Sequence, residues 1–551
     1  MLPSDRIRAL LAQLYPDQLD AVYRRILDRL IHVHAPAPRE GYFSEKTVTL
    51  ITYGDSLRRP DEAPLRTLHG FVNAHFRDIL DTVHILPFYP YSSDDGFSVI
   101  DYKAVNPALG TWDDVRALSG DYRMMFDAVI NHMSAQSEWF QKFLQGDPDY
   151  ANLFKTESPE VDLSAVTRPR TSPLLTAFTR ADGSTVHVWT TFSADQVDLD
   201  FRSPETFLRI LDVLLYYVEQ GAQVIRLDAI AFMWKVAGTT SLHLPQTHAV
   251  IKLFRAALDI AAPHVILITE TNVPHDENIS YFGDGADEAQ LVYNFTLPPL
   301  LLYTLISGHA GKLAAWVNSL PPPTPRTAFF NFTASHDGIG VRPVEGILTP
   351  DELARVIAHV EANGGRVSYR ALPDGGKKPY ELNITYVDAA GAPGLSEAQH
   401  IQRFLLTQAV MLGLAGVPAV YIHSLLGTRN DTEGVERLGY NRAINRAKLD
   451  ADAIAAELTR PDSFRAQVFV GYRALLRARR THPAFHPQGT QRAFTTGNGA
   501  VFGLERASPD GSSRLLALYN FSGDTHTVQA AHAGTVTLPP YSWRWLPLEQ
   551  R

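Results

Sequence analysis

The sequence contains no cysteine. That absence excludes disulfide stapling and thiolate metal centres, and it fits a reducing, cytoplasmic setting. No uninterrupted apolar run reaches about 18 residues, so no membrane-spanning helix is expected. The N-terminus has no apolar signal-peptide core; from Ser4 to Val33 charged and apolar residues alternate at helical spacing, predicting one or two amphipathic helices. Positive charge is outweighed, with 50 Lys and Arg against 59 Asp and Glu and a formal net charge of -9. Such a surface carries no electrostatic footprint for nucleic acid or an anionic membrane, and an anionic substrate would need local cations. Internal repeats and low-complexity tracts are missing too.

What is present is a globular balance, 45% hydrophobic and 20% charged over 551 residues, long enough for about two to four domains. Short apolar runs at 47–53, 82–88, 124–132, 224–230, 264–270, 290–295, 327–332 and 418–423 read as eight strands. Helical patterns separate them. The clearest precedes the fourth strand: Ser203 as cap, Pro204 at the first turn, a stripe of Phe207, Ile210, Leu211, Leu214 and Leu215, and Gly221 as stop. Eight strands alternating with helices predict an α/β fold, a parallel (β/α)8 TIM barrel.

Two connections are too long for simple loops. Residues 133–202 are polar and rich in Ser, Thr and Pro, and read as an inserted domain after the third strand. Residues 338–398, after the seventh, include Pro373-Asp374-Gly375-Gly376-Lys377-Lys378-Pro379 and read as an inserted acceptor-loop subdomain. The expected organisation is N-terminal helices over 1–46, a barrel over 47–132 and 203–484 carrying both insertions, and an antiparallel β domain over 485–551.

The stretch 224–230 draws attention because Arg226 and Asp228 interrupt an apolar strand two residues apart. A period of two sends both to one side, the interior of a closed barrel. Two readings stand: a structural ion pair, or an active-site carboxylate oriented by its neighbour. Other polar residues fall at strand ends: Asp127, Asn131 and His132 after the third, Glu270 after the fifth, and His336-Asp337 after the seventh. Each alone could be a helix cap; together they lie where barrel enzymes put their chemistry.

These motifs, Asp127-Ala-Val-Ile-Asn131-His132, Arg226-Leu-Asp228, Glu270 closing an apolar strand and His336-Asp337, resemble in their order those of the α-amylase superfamily. The resemblance implies that Asp228 is a nucleophile, Glu270 a general acid/base and Asp337 a transition-state carboxylate. It further implies that Arg226 orients Asp228 and that His132 and His336 donate to sugar hydroxyls. A closer resemblance, spanning nearly the whole chain, is to the sucrose phosphorylase branch. It is carried by Leu50-Ile51-Thr52-Tyr53, His84-Ile85-Leu86-Pro87-Phe88, Asp94-Asp95-Gly96-Phe97, Asn131-His132-Met133-Ser134, Leu297-Pro298-Pro299-Leu300, His336-Asp337-Gly338-Ile339-Gly340 and Ile444-Asn445-Arg446. It implies that Asp94, Phe97, His132 and Arg442 form glucose and phosphate sites, with Phe97 as an aromatic platform.

Departures from the sucrose-specific pattern lie on the acceptor side. Tyr380-Glu381 stands where a Tyr-Gln pair is usual, Asn272 replaces a histidine and Phe232 a tyrosine. With Lys377, Lys378, Arg168 and Arg170 as acceptor or phosphate candidates, these changes resemble the glucosylglycerate phosphorylases, which use an anionic acceptor. Arg442 is the leading phosphate candidate. The lysine pair could equally be a solvated loop tip. The implied activity is metal-independent, cofactor-free phosphorolysis of a small glucoside by the chain as a monomer or homodimer. Alternatives are a sucrose 6'-phosphate phosphorylase, a hydrolase or transglucosidase on the same site, and a non-catalytic carbohydrate-binding scaffold.

Overall fold

A computed structural model describes residues 2–35, 41–372, 376–530 and 533–549. Eight parallel strands close the expected barrel: β1 (Thr49–Thr52), β2 (Thr82–Ile85), β3 (Arg123–Ala128), β4 (Ala222–Leu227), β5 (Ile266–Thr269), β6 (Leu291–Tyr293), β7 (Ala328–Phe332) and β8 (Val417–Tyr421). Sequential strands are neighbours, and β8 returns to β1 through Thr49↔Ala419 and Leu50↔Val420. The strands are buried on both faces because helices cover their outside.

The helix before β4, Pro204–Glu219, shows how sequence pattern becomes packing. Phe207, Ile210, Leu211 and Leu214 are buried, and Gly221 takes a left-handed φ of 101° as the chain turns into β4. Ser203 occupies the N-cap position, but its hydroxyl makes no capping bond; Pro204, which lacks an N–H, has already reduced the number of donors to satisfy. Several strands are shorter than their apolar runs. β4 ends at Leu227 and β5 at Thr269, which leaves Asp228 and Glu270 one residue beyond the ladder. Hydrophobicity continues past the point where the backbone leaves the sheet, so a run length overestimates a strand.

Between β3 and the next barrel helix, Leu175–Thr179 pairs with Thr185–Trp189, and His132–Ser134 pairs with Gln196–Asp198. After β7, Ile339–Gly340, Lys377–Asn383 and Arg366–Ala371 form a three-stranded antiparallel sheet, with the helix Pro350–Ala362 beside it. Pro373, Asp374 and Gly375 of the Gly/Pro/Lys stretch lie outside the described residues. At the C-terminus Thr490–Thr495, Val501–Ala507, Arg514–Asn520 and Trp543–Leu548 build an antiparallel sheet. Helices Pro3–Leu14 and Leu19–Leu30 pack at the N-terminus, the first against the helix Pro245–Ala261. No helix among the described residues is long and apolar enough to cross a membrane.

Candidate active site

Arg226 sits in β4 with Asp127 of β3 and Ile268 of β5 as its ladder neighbours. Its buried Nη1 donates to Asp127 Oδ1 and, at 2.7 Å, to Asp228 Oδ1, while Nε donates to the Tyr293 hydroxyl at 3.2 Å. His84 Nε2 holds the other oxygen of Asp127 at 2.6 Å. The structural ion pair therefore exists, with Asp127 as its enclosed partner, and the burial of this cation is compensated by pairing and hydrogen bonding. Asp228 instead lines a cavity. Beyond it Ala229 adopts a left-handed φ of 51°, and its N–H donates to Glu270 Oε2 at 3.1 Å.

The two carboxylates are not equivalent. Asp228 takes the short guanidinium bond, whereas Glu270 comes no nearer than 3.9 Å to Arg226 Nη2. Burial, reinforced by Asp228 and Asp337, pushes Glu270 up to about 7 against the pull of Arg226. Burial raises Asp228 as well, with Arg226 and His132 opposing it. The shorter charge-assisted bond puts the negative charge of the pair on Asp228 and the proton on Glu270. For Asp337, burial raises the carboxyl, but Arg442, Arg446, Arg226 and Arg170 outweigh it and hold the group below the usual range. His336, kept neutral by burial and by Arg446 and Arg226, has a buried Nδ1 without a partner among the described residues.

One cavity gathers Asp228, Glu270 and Asp337 with Asp94, Phe97, His132 and His336. Tyr380, Glu381, Arg442, Arg168 and Arg170 complete the residues that the sequence reading brings to it. Asp94 and Asp95 are both left-handed, with φ of 53° and 49°, followed by Gly96 at 111°. A Cβ on Gly96 would stand 2.6 Å from the Pro87 carbonyl, so this turn requires glycine. It is a built turn rather than an ordinary one: Asp94 faces the cavity, while Asp95 accepts from Arg446 Nη1 at 2.8 Å. Phe97 stacks on His336, with centroids 4.7 Å apart and planes 3° from parallel. It therefore backs the histidine as well as lining the cavity. His132 Nε2 lies 2.9 Å from the Phe97 carbonyl.

Three candidates stand elsewhere. Arg226 lies beneath the cavity. Lys377 lines a wider outer cleft, and Lys378 turns to Glu345, Nζ to Oε1 at 2.8 Å. Neither lysine lines the inner cavity, and the counter-ion of Lys378 lies outside it. Arg442 also differs from expectation. Nη1 is 2.6 Å from Asp337 Oδ1, and Glu381 takes Nη2 at 2.7 Å and Nε at 3.0 Å. Two carboxylates neutralise it, so it ties β7 to its insertion rather than offering a free cation.

Sequence reasoning missed His84, Tyr293, Gln196, Arg342 and Arg370. Tyr293 and His84 fall at interior positions of apolar strands, a signal that was readable. Arg342 and Arg370 lie in a polar insertion where charged residues are ordinary, and nothing local marks them. Among the described residues no cluster of three or more His, Asp or Glu side chains is arranged to hold a metal ion.

The model of the α-amylase catalytic domain matches residues 79–312. Glucosylglycerate phosphorylase of Spirochaeta thermophila is 49% identical over 95% of this chain and 90% of that protein. Sucrose phosphorylase of Agrobacterium vitis is 32% identical over 83% of this chain and 92% of that protein. Among solved structures, sucrose 6F-phosphate phosphorylase from Thermoanaerobacter thermosaccharolyticum superposes with a TM-score of 0.75 at 25% identity, covering 90% of this chain and 98% of that one.

Proposed function

Since the chain belongs to the α-amylase family, in the branch of the glucosylglycerate and sucrose phosphorylases, we propose that it transfers glucose from 2-O-α-glucosylglycerate to inorganic phosphate. The observation that carries this chemistry is the unequal treatment of two carboxyls: Arg226 bonds Asp228 at 2.7 Å and leaves Glu270 raised to about 7. Glu270 gives its proton to the glycosidic oxygen as Asp228 attacks C1, so the bond to glycerate breaks and a glucosyl-Asp228 ester forms. Glycerate leaves. A phosphate oxygen then attacks C1, the ester bond to Asp228 breaks, and the Glu270 carboxylate takes the phosphate proton. Two inversions return the α configuration as α-glucose 1-phosphate.

Asp337, kept ionised by arginines, stabilises the positive charge that develops on the sugar ring, and His132 and neutral His336 meet the sugar hydroxyls. Phosphate replaces water because Arg168 and Arg170 reach the cavity from the insertion after β3. Glucosylglycerate is preferred to sucrose because the relatives of that name are the more similar ones and because Glu381 and Asn272 stand on the acceptor side. The partners are small molecules, and the setting is the cytoplasm, where phosphate and glucosyl phosphates are available.

The test is to offer 2-O-α-glucosylglycerate or sucrose with and without phosphate. Glucose 1-phosphate is expected only with phosphate and chiefly from glucosylglycerate. Equal release of free glucose in both conditions would make the protein a hydrolase on the same site.

A further inference from the structure

Positive charge in and beside the cavity is unevenly committed. Arg442 is held by Asp337 and Glu381, and Arg446 by Asp95, Asp94 and Asp337. Arg170 lies against two rings, 5.7 Å from the centroids of both Phe192 and Tyr380. Arg342 and Arg370 are different. Both line the cavity, and each has a buried Nε without a hydrogen-bond partner among the described residues. Arg342 makes no ion pair among the described residues. Arg370 approaches only Glu345, at 3.6 Å, and that carboxylate is taken by Lys378 at 2.8 Å.

Their place in the cavity gives the two arginines a direction. Asn272 is two residues past Glu270, and Gly340 packs against it so tightly that a Cβ on Gly340 would lie 2.5 Å from Asn272 Oδ1. Arg342 follows two residues later. The Asn272–Gly340–Arg342 wall therefore belongs to the side of Glu270, where the group it protonates departs. Asn272 Oδ1 is itself buried and unpartnered among the described residues. A departing group that meets two guanidiniums with unpartnered Nε donors and an unpartnered amide oxygen is matched if it carries a carboxylate and a hydroxyl.

Resting on the glucosylglycerate reading, we propose that Arg342 and Arg370 clamp the carboxylate of glycerate while Asn272 accepts one of its hydroxyls. This pair, rather than the lysine loop, selects an anionic acceptor over a neutral one. Lys378 contributes indirectly: standing nearer to Glu345, at 2.8 Å against 3.6 Å for Arg370, it weakens the hold of that carboxylate on Arg370.

Arg342→Gln and Arg370→Gln test the clamp in the synthetic direction from glucose 1-phosphate, with glycerate and glycerol as acceptors that differ by one carboxylate. Loss of a charged hydrogen-bond pair lowers kcat/KM for glycerate roughly 10- to 100-fold. Glycerol use and the KM for phosphate are expected to stay within about twofold, since neither depends on that bond. Acceptor-free hydrolysis of glucose 1-phosphate reports that the glucosyl site is folded and working, and Arg342→Lys restores part of the glycerate preference. A parallel fall for both acceptors, an unchanged ratio, or an equal loss of phosphate affinity overturns the clamp. A parent protein that uses glycerate no better than glycerol overturns the glucosylglycerate reading and the clamp with it.

Discussion

Asp228 accepts from Arg226 and Glu270 from the Ala229 N–H, and the proposed division of labour follows from that difference. Asp228→Asn removes the proposed nucleophile and Glu270→Gln the proposed proton donor; losses of about 10²-fold to 10⁴-fold are expected for the acid and at least as much for the nucleophile. α-Glucosyl fluoride separates them, because its leaving group needs no proton. It should restore glucosylation in Glu270→Gln and not in Asp228→Asn, as quench-flow measurement of fluoride release would register. The pH dependence has a definite sign. Glu270 donates only when protonated, so kcat/KM should fall as pH rises through about 7. Stability should fall as pH rises from about 4.5, where the unfolded carboxyl ionises, to about 7, where the buried one does, and should be lower at pH 8 than at pH 5. Glu270→Gln should remove that loss, a gain on the order of 3 kcal/mol at pH 8, readable from urea unfolding of the two proteins at both pH values.

At the scale of elements, the strands and their connecting helices announce themselves, whereas the insertions acquire meaning only through contacts. Lys235, just past the loop that carries Asp228, is buried. Its ammonium donates to Asn131 Oδ1 at 2.9 Å and stands 3.4 Å from Asp198 Oδ2, so it joins the end of β3, the insertion and the loop after β4. Lys235→Met leaves Asp198 and Asn131 without this partner, and breaking a buried ion pair of this kind costs about 3–5 kcal/mol. A lowered melting temperature is expected, together with faster proteolysis within 133–202; unchanged proteolysis would show that the insertion is held by other means. Arg226, Asp228 and Glu270 were legible because charge in an apolar run is conspicuous. Lys235 was not, since a lysine in a polar loop looks ordinary until its oxygen partners arrive from three separate segments.

For the whole molecule, an acidic exterior encloses a cavity to which Arg168, Arg170, Arg342, Arg370 and Arg442 turn. Arginine, always charged, also joins the barrel to the C-terminal sheet. Arg506, on Val501–Ala507, donates to the carbonyls of Gly413 at 2.6 Å and His486 at 2.8 Å, while Arg479 donates to Leu412 and Phe485. Neither forms an ion pair among the described residues; backbone carbonyls solvate both. Arg506→Met should destabilise the protein by about 2–3 kcal/mol and leave phosphorolysis at 25 °C nearly intact, because the carboxylates stand at the opposite end of the strands. Differential scanning calorimetry beside an initial-rate assay would check both halves.

The sequence by itself determined the barrel, its two insertions and the three carboxylates, because hydrophobic periodicity and a charge inside an apolar strand are local properties. Tertiary structure alone decided which cations are free. Arg442 looked like the anion receptor and is instead neutralised by Asp337 and Glu381; Lys378 looked like its helper and is bound to Glu345. Arg342 and Arg370, unmarked in the chain, line the cavity and each retain a donor unpartnered among the described residues. The reason is physical: the charge a side chain offers a ligand is what remains after its neighbours have paired with it, and those neighbours lie far away in sequence.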